Sequence, residues 1–277
     1  MRKDDFFFAL IASVLLIMLM TGCKGESTPE TQATQEMQDK DIEEQETVSS
    51  SLFQDDMEKY NPEIWHTADG WTNGIPFWVG WRSDHVEFLD GTMKLRLDNH
   101  PCVDNLSDCS EQPYASGEYR TNEFFHYGCV EGHLKAAKSN GIVTSLFVYT
   151  GPSDNNPHDE IDIEILGKET SQMQINYFAD GAGGHEVVVD LGFDASEDFH
   201  TYAFDWSPTA IKWYVDGEVV HIEDGSNGAL PITPSRIMMN LWAGTEVDDW
   251  LDTFEYSGSP IYASYDWIKF TPVGCEQ

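Results

Sequence analysis

An all-β fold, built as an antiparallel sandwich, is what this chain predicts, on three observations. Short runs with strand-like alternation recur at close spacing between residues 93 and 270. Asp-Gly turn signals stand between them at Asp90-Gly91, Asp180-Gly181 and Asp216-Gly217. Apolar residues at helical spacing are scarce, and no internal repeat is present. Many short strands with few helices indicate a sandwich, and residues 51–277 suit one large domain of that kind.

The segments ahead of that domain have other purposes. Arg2 and Lys3 precede an apolar run from Phe6 to Met20, too short for a comfortable membrane span. The run ends Leu19-Met20-Thr21-Gly22-Cys23, and small residues before a cysteine resemble a bacterial lipoprotein signal. Residues 1–22 are therefore expected to be removed and Cys23 lipidated, which puts the protein at the cell surface as a membrane-anchored lipoprotein. Ordinary secretion after cleavage near Gly22 is the alternative. Residues 24–50 hold eight acids and two lysines with almost nothing apolar. Such a stretch cannot bury a core, so residues 23–50 are expected to be a disordered acidic tether.

Within the domain, strand-like runs are read at 93–97, 117–122, 142–149, 160–166, 172–178, 186–191, 200–206, 211–215, 218–222, 237–242 and 262–270. Asp216-Gly217 joins two of them as a two-residue hairpin. Composition then narrows the partners. With 15 basic and 49 acidic residues, the formal charge of −34 repels phosphate backbones and anionic headgroups. No nucleic acid is expected, and membrane contact only through the lipid. Nine tryptophans supply core volume and also flat faces on which sugar rings stack. Nothing in the chain demands more than a monomer.

The most informative run is His158-Asp-Glu-Ile-Asp-Ile-Glu-Ile-Leu-Gly167. On a strand, Glu160, Asp162 and Glu164 share one face, while Ile161, Ile163 and Ile165 share the other. Glu160 and Glu164 have Cα atoms roughly 13 Å apart, and side chains leaning along the strand close much of that gap. The spacing is compatible with retaining glycosidases, whose carboxyl groups stand about 5–5.5 Å apart, without requiring one. Asp162 between them would raise the proton affinity of its neighbours. Alternation alone also fits the solvent face of any sheet, and a calcium cage is a further alternative, although one flat strand wraps an ion poorly.

His158–Gly167 with Lys168-Glu169-Thr170 resembles the active-site strand of family 16 glycoside hydrolases, most closely the bacterial lichenases, which are endo-β-1,3-1,4-glucanases. The resemblance runs from Trp65-His66-Thr67-Ala68-Asp69-Gly70 to Tyr265-Asp266-Trp267, through Tyr149–Pro152, His200–Trp206, Ile211–Gly217 and Met238–Trp242. It implies a concanavalin A-like jelly roll with the glucan in a concave cleft. It further implies Glu160 as nucleophile, Glu164 as general acid/base and Asp162 as the residue that tunes them. The family's substrate contacts fall on Asn73, Glu118, Arg120, Phe147, Tyr149, Asn176, Asn240, Trp242 and Trp250, with His158 beside them. A structural calcium would map onto the Asp266 side chain and the carbonyls of Asp56 and Gly91. No catalytic cofactor is implied.

Two departures stand beside the catalytic strand: His158 where lichenases usually carry Trp, and Phe178 where they carry Tyr. A histidine there also resembles the xyloglucan-active branch. The usual lichenase disulfide positions fall on Gly80 and Ser116. Of the chain's own cysteines, Cys102 with Cys109 and Cys129 with Cys275 is the preferred pairing. The expected function is hydrolysis of β-1,4 bonds in mixed-linkage β-1,3-1,4-glucans. The alternatives are a β-1,3-glucanase, a xyloglucan-active hydrolase or transglycosylase, and a non-catalytic surface glucan-binding lipoprotein.

Overall fold

A computed structural model describes residues 48–100 and 112–275. The signal segment, Cys23, the tether up to residue 47, and Cys102 and Cys109 lie outside the described residues. In chain order the strands are β1 (Val48–Ser49), β2 (Phe53–Asp55), β3 (Trp65–Thr67), β4 (Val79–Trp81), β5 (Val86–Leu89), β6 (Thr92–Asp98) and β7 (Tyr114–Ser116). They continue with β8 (Glu118–Thr121), β9 (Phe124–Phe125), β10 (Gly128–Lys135), β11 (Ile142–Thr150), β12 (Asp159–Leu166), β13 (Gln172–Phe178) and β14 (Val187–Asp190). The last are β15 (His200–Ser207), β16 (Ala210–Val215), β17 (Glu218–Glu223), β18 (Arg236–Ala243) and β19 (Ile261–Thr271), with one short helix, α1 (Asp248–Leu251), before β19.

Two sheets form the sandwich. One runs β14-β13-β12-β11-β18-β8-β3; the other runs β17-β16-β15-β10-β19-β6-β7-β4, with β2 on β19 and β5 on β6. Pairing is antiparallel apart from β4 with β7 and the small ribbon of β1 with β9. Between the sheets lies the core, and the alternation of β12 places it there: Ile161, Ile163 and Ile165 are buried against it. Each fully buried isoleucine contributes about 1.5–3 kcal/mol. Two hydrogen bonds cross the core and fix the backbone of the seven-stranded sheet from beneath. Trp213 Nε1 on β16 donates to the Asp162 carbonyl (3.1 Å), and the Tyr265 hydroxyl on β19 donates to the Ser145 carbonyl (2.8 Å).

All three Asp-Gly signals close two-residue turns, with positive φ at both residues each time, as in type I′ hairpins. Strand β10, in contrast, was not legible in the sequence. Its glycines interrupt the apolar pattern, yet it lies between β15 and β19. A Cβ at Gly132 would stand 2.8 Å from both Ile268 and Leu146, so glycine is what lets the sheets close there. Cys129 on this strand forms a disulfide with Cys275, as expected.

One expectation needs correction. The folded part begins before Ser51, because Val48 and Ser49 pair with Phe124 and Phe125 and so do not belong to the tether. Among the tryptophans, Trp206 and Trp213 are core residues, whereas Trp267 is only partly buried, stacked on His133 across β10 and β19.

Candidate active site

Register decides what surrounds each acid of β12. Glu160 lies between Tyr149 of β11 and Phe178 of β13, Asp162 between Phe147 and Asn176, and Glu164 between Ser145 and Gln174. Because facing residues on paired strands share a face, these side chains join the acids on the surface opposite the isoleucines. Asp159, one residue out of phase, points the other way and is buried. Its carboxylate accepts the backbone N–H groups of Asp180, Ile232 and Thr233 (2.8–2.9 Å), anchoring two loops to the start of the strand.

The two glutamates have different partners. Glu160 Oε2 lies 2.6 Å from His158 Nε2; an ionised carboxylate only accepts, so the nitrogen carries the hydrogen. Glu164 Oε2 accepts from Gln174 Nε2 at 2.9 Å, and Gln174 Oε1 in turn accepts from Trp250 Nε1 at 3.0 Å. The indole can only donate, which fixes the amide with its NH2 toward Glu164.

Burial and like charge set the proton affinities. Glu164 is pushed up to about 8, first by burial and then by the charge on Glu160, with the Gln174 hydrogen bond opposing. Asp162 is raised well above the usual carboxylate range by burial and by both glutamates. Glu118 is pushed up to about 7 by burial, against the pull of Arg120 and Asn240. At neutral pH this face therefore carries a carboxylic acid at Glu164 ready to donate a proton. The His158 imidazole is raised, chiefly by its hydrogen bond to Glu160.

The three acids form the floor where two lobes of one cleft meet, of about 650 and 450 Å³. Asn73, Glu118, Arg120, Phe147, Tyr149, His158 and Asn240 line the larger lobe; Asn176 and Trp250 line the smaller, and Trp242 borders both. Every substrate-contact position expected from the sequence thus meets at one site. Two buried oxygens, Glu118 Oε1 and Asn176 Oδ1, have no protein partner, which leaves them for a polar group of a ligand. Asn73 Oδ1 accepts from Trp81 Nε1 (2.7 Å), so its NH2 is the group left for a ligand.

Sequence reasoning missed Gln174, Glu186, Trp71 and Phe77, which also line the cleft. Gln174 was within reach of it: period two from Asn176 puts both on one face of β13. Trp71 and Phe77 stand in a loop without periodicity, and no local signal marks them.

The expected calcium positions converge by register. Strand β19 pairs with β6 up to Tyr265 opposite Met93 and with β2 from Ile268 opposite Asp55. Asp56 and Gly91 therefore flank the same stretch of β19, beside Asp266, where one partner strand hands over to the other. The oxygen donors suit a hard cation, and one Asp266 oxygen already accepts from His133 Nδ1 at 2.8 Å. Gly80 and Ser116 sit on the paired strands β4 and β7, one step out of register.

Comparison with known proteins matches this architecture. A family model described as glycosyl hydrolases family 16 covers residues 75–269. The beta-glucanase of Paenibacillus macerans is 47% identical over 225 residues, which are 81% of this chain and 90% of that protein. The beta-glucanase of Bacillus subtilis (strain 168) is 48% identical over 221 residues, 79% of this chain and 86% of the relative. Among solved structures, a prokaryotic β-1,3-1,4-glucanase (lichenase) from a mouse hindgut metagenome superposes with a TM-score of 0.74 at 43% identity, covering 80% of this chain and all of that one. The Bacillus licheniformis beta-glucanase gives 0.73 at 44% identity, covering 79% and 97%.

Proposed function

Because the chain belongs to glycosyl hydrolases family 16, we propose that it is an endo-acting, retaining β-glucanase that cleaves β-1,4 bonds in mixed-linkage β-1,3-1,4-glucans. The observation that carries this reading is the placement of Glu160, Asp162 and Glu164 at the junction of two cleft lobes. Sugar units bound on both sides of the acids put an internal bond over them.

The chemistry follows from the two carboxyl environments. Glu160 attacks the anomeric carbon; the bond to the leaving oxygen breaks, and that oxygen takes the proton of Glu164. Water then gives a proton to Glu164 and attacks the same carbon, and Glu160 leaves as a carboxylate. Asp162, with its affinity for protons raised by burial and both glutamates, keeps negative charge between them from accumulating. Incubation with lichenan, laminarin, carboxymethylcellulose and xyloglucan, scored by new reducing ends, tests the substrate. Release from lichenan is expected; release only from laminarin or xyloglucan would remove the linkage assignment and keep the family.

The remaining expectations enter on the same footing. Export with lipidation at Cys23 draws support from the signal-like sequence and from the Cys129–Cys275 disulfide, since such bonds persist in oxidising compartments. Globomycin-sensitive processing and acyl mass on Cys23 would check it. Asp266 with the carbonyls of Asp56 and Gly91 would hold a calcium ion far from the acids, in a structural role. Chelation should then lower Tm with kcat unchanged at temperatures where the protein stays folded.

A further inference from the structure

The two residues that depart from the lichenase pattern, His158 and Phe178, are ring partners beside one carboxylate. Their planes are 18° apart with centroids separated by 4.7 Å, and Tyr149 lies on the other side at 5.3 Å. Phe178 is backed by Gly183, where a Cβ would come within 2.3 Å of its ring. The turn between them also holds the histidine's backbone, because Gly181 N–H donates to the His158 carbonyl at 2.8 Å. The imidazole is therefore held by a stacked ring, a tilted one and its own main chain, with Nε2 directed at Glu160 Oε2 over 2.6 Å.

Of the cross-strand neighbours of Glu160, Phe178 has no donor, and no hydrogen bond among the described residues joins the Tyr149 hydroxyl to that carboxylate. We infer that His158 is a positioning residue that fixes the orientation of the Glu160 carboxylate, a task its place in the cleft would otherwise suggest was sugar binding. This rests on Glu160 being the nucleophile.

The charged groups around the imidazole agree with that task. Glu160 faces Nε2; Asp159, next in sequence, is turned away onto backbone N–H groups. Tyr149 on β11 and Phe178 on β13 carry no charge at neutral pH. Asp154, in the loop after β11, is 3.8 Å from Arg236. Glu160 raises the affinity of His158 for its proton, chiefly through that hydrogen bond.

Three measurements on the full-length chain test the inference. In ¹⁵N NMR titrations, the His158 midpoint should fall in Glu160→Gln, since the carboxylate that raises it is gone; an unchanged midpoint overturns the hydrogen bond itself. In steady-state kinetics on lichenan, His158→Phe should lower kcat about tenfold with little change in KM, as expected for loss of a hydrogen bond to a charged group. His158→Gln, which keeps an N–H donor, should stay near the parent; an equal loss in both variants overturns the donor role, even if His158→Phe folds poorly. Finally, an activated 2-fluoro-glucoside should leave its label on Glu160 in the parent. Label on another carboxylate would overturn the nucleophile assignment while leaving the NMR result to judge the pair.

Discussion

The two ends of β12 make an instructive contrast. Glu160 and Glu164 have the same side chain, the same strand and the same face, four residues apart. One meets an imidazole and the other an amide held by an indole. Burial beside another negative charge favours a carboxylic acid at Glu164, whereas the donor aimed at Glu160 Oε2 holds that carboxyl in one orientation. Division of labour between identical residues thus comes from their neighbours: His158 just before β12 for one, and Gln174 on β13 with Trp250 on α1 for the other.

The largest test of that contrast removes each acid in turn. Glu160→Gln should lower kcat by about 10⁴-fold or more on every substrate. Glu164→Gln should cost about 10²–10⁴-fold on lichenan and far less on aryl glycosides whose leaving group needs no proton. Azide sharpens the distinction. It should rescue Glu160→Ala with an α-glycosyl azide, by direct attack, and Glu164→Ala with a β-glycosyl azide, by attack on the glycosyl-enzyme. Products of the opposite configuration would reverse the roles.

A control lies under the midpoint of the strand. Trp213→Phe deletes the hydrogen bond to the Asp162 carbonyl and should cost about 1–3 kcal/mol in urea unfolding. Both limbs of the pH profile should stay in place; a moved limb would show that the backbone anchor helps separate the two acids.

Gln174→Leu acts at one end only. Its N–H group favours ionised Glu164, so removing it should raise the alkaline limb, expected near pH 8 in the parent, and leave the acid limb unmoved. Movement of the acid limb instead would mean that the amide serves the other glutamate.

The remaining test is of stability against pH. Glu164 binds a proton in the folded state up to about pH 8, whereas the unfolded chain releases it near the ordinary glutamate value. Folding stability is therefore lost as pH rises through that window. Glu164→Gln should weaken this decline in thermal scans between pH 5 and 9. A parallel curve in the variant would contradict the buried, raised carboxyl.

Much of this was legible in local sequence because its causes are local. Period-two alternation separated the acids of β12 from its isoleucines, and the Asp-Gly pairs marked turns whose φ values demand such residues. The fold class and the three acids needed nothing more, and the family motifs placed the cleft positions. Strand β10 escaped because Gly132 answers to Leu146 and Ile268, which are distant in sequence. Gln174 was overlooked because its importance comes from Trp250, 76 residues further on.

By itself, the sequence determined that three carboxylates line one face of a strand in an all-β domain, since side-chain alternation is a property of the strand alone. Only the tertiary structure decided which carboxylate holds a proton and which meets a donor. Desolvation and hydrogen bonding depend on what the neighbouring strands bring alongside, and no period along one strand encodes that. Gln174 shows the difference most plainly: in the sequence nothing but its alternation with Asn176 singles it out, and in the folded protein Trp250 turns its amide toward Glu164.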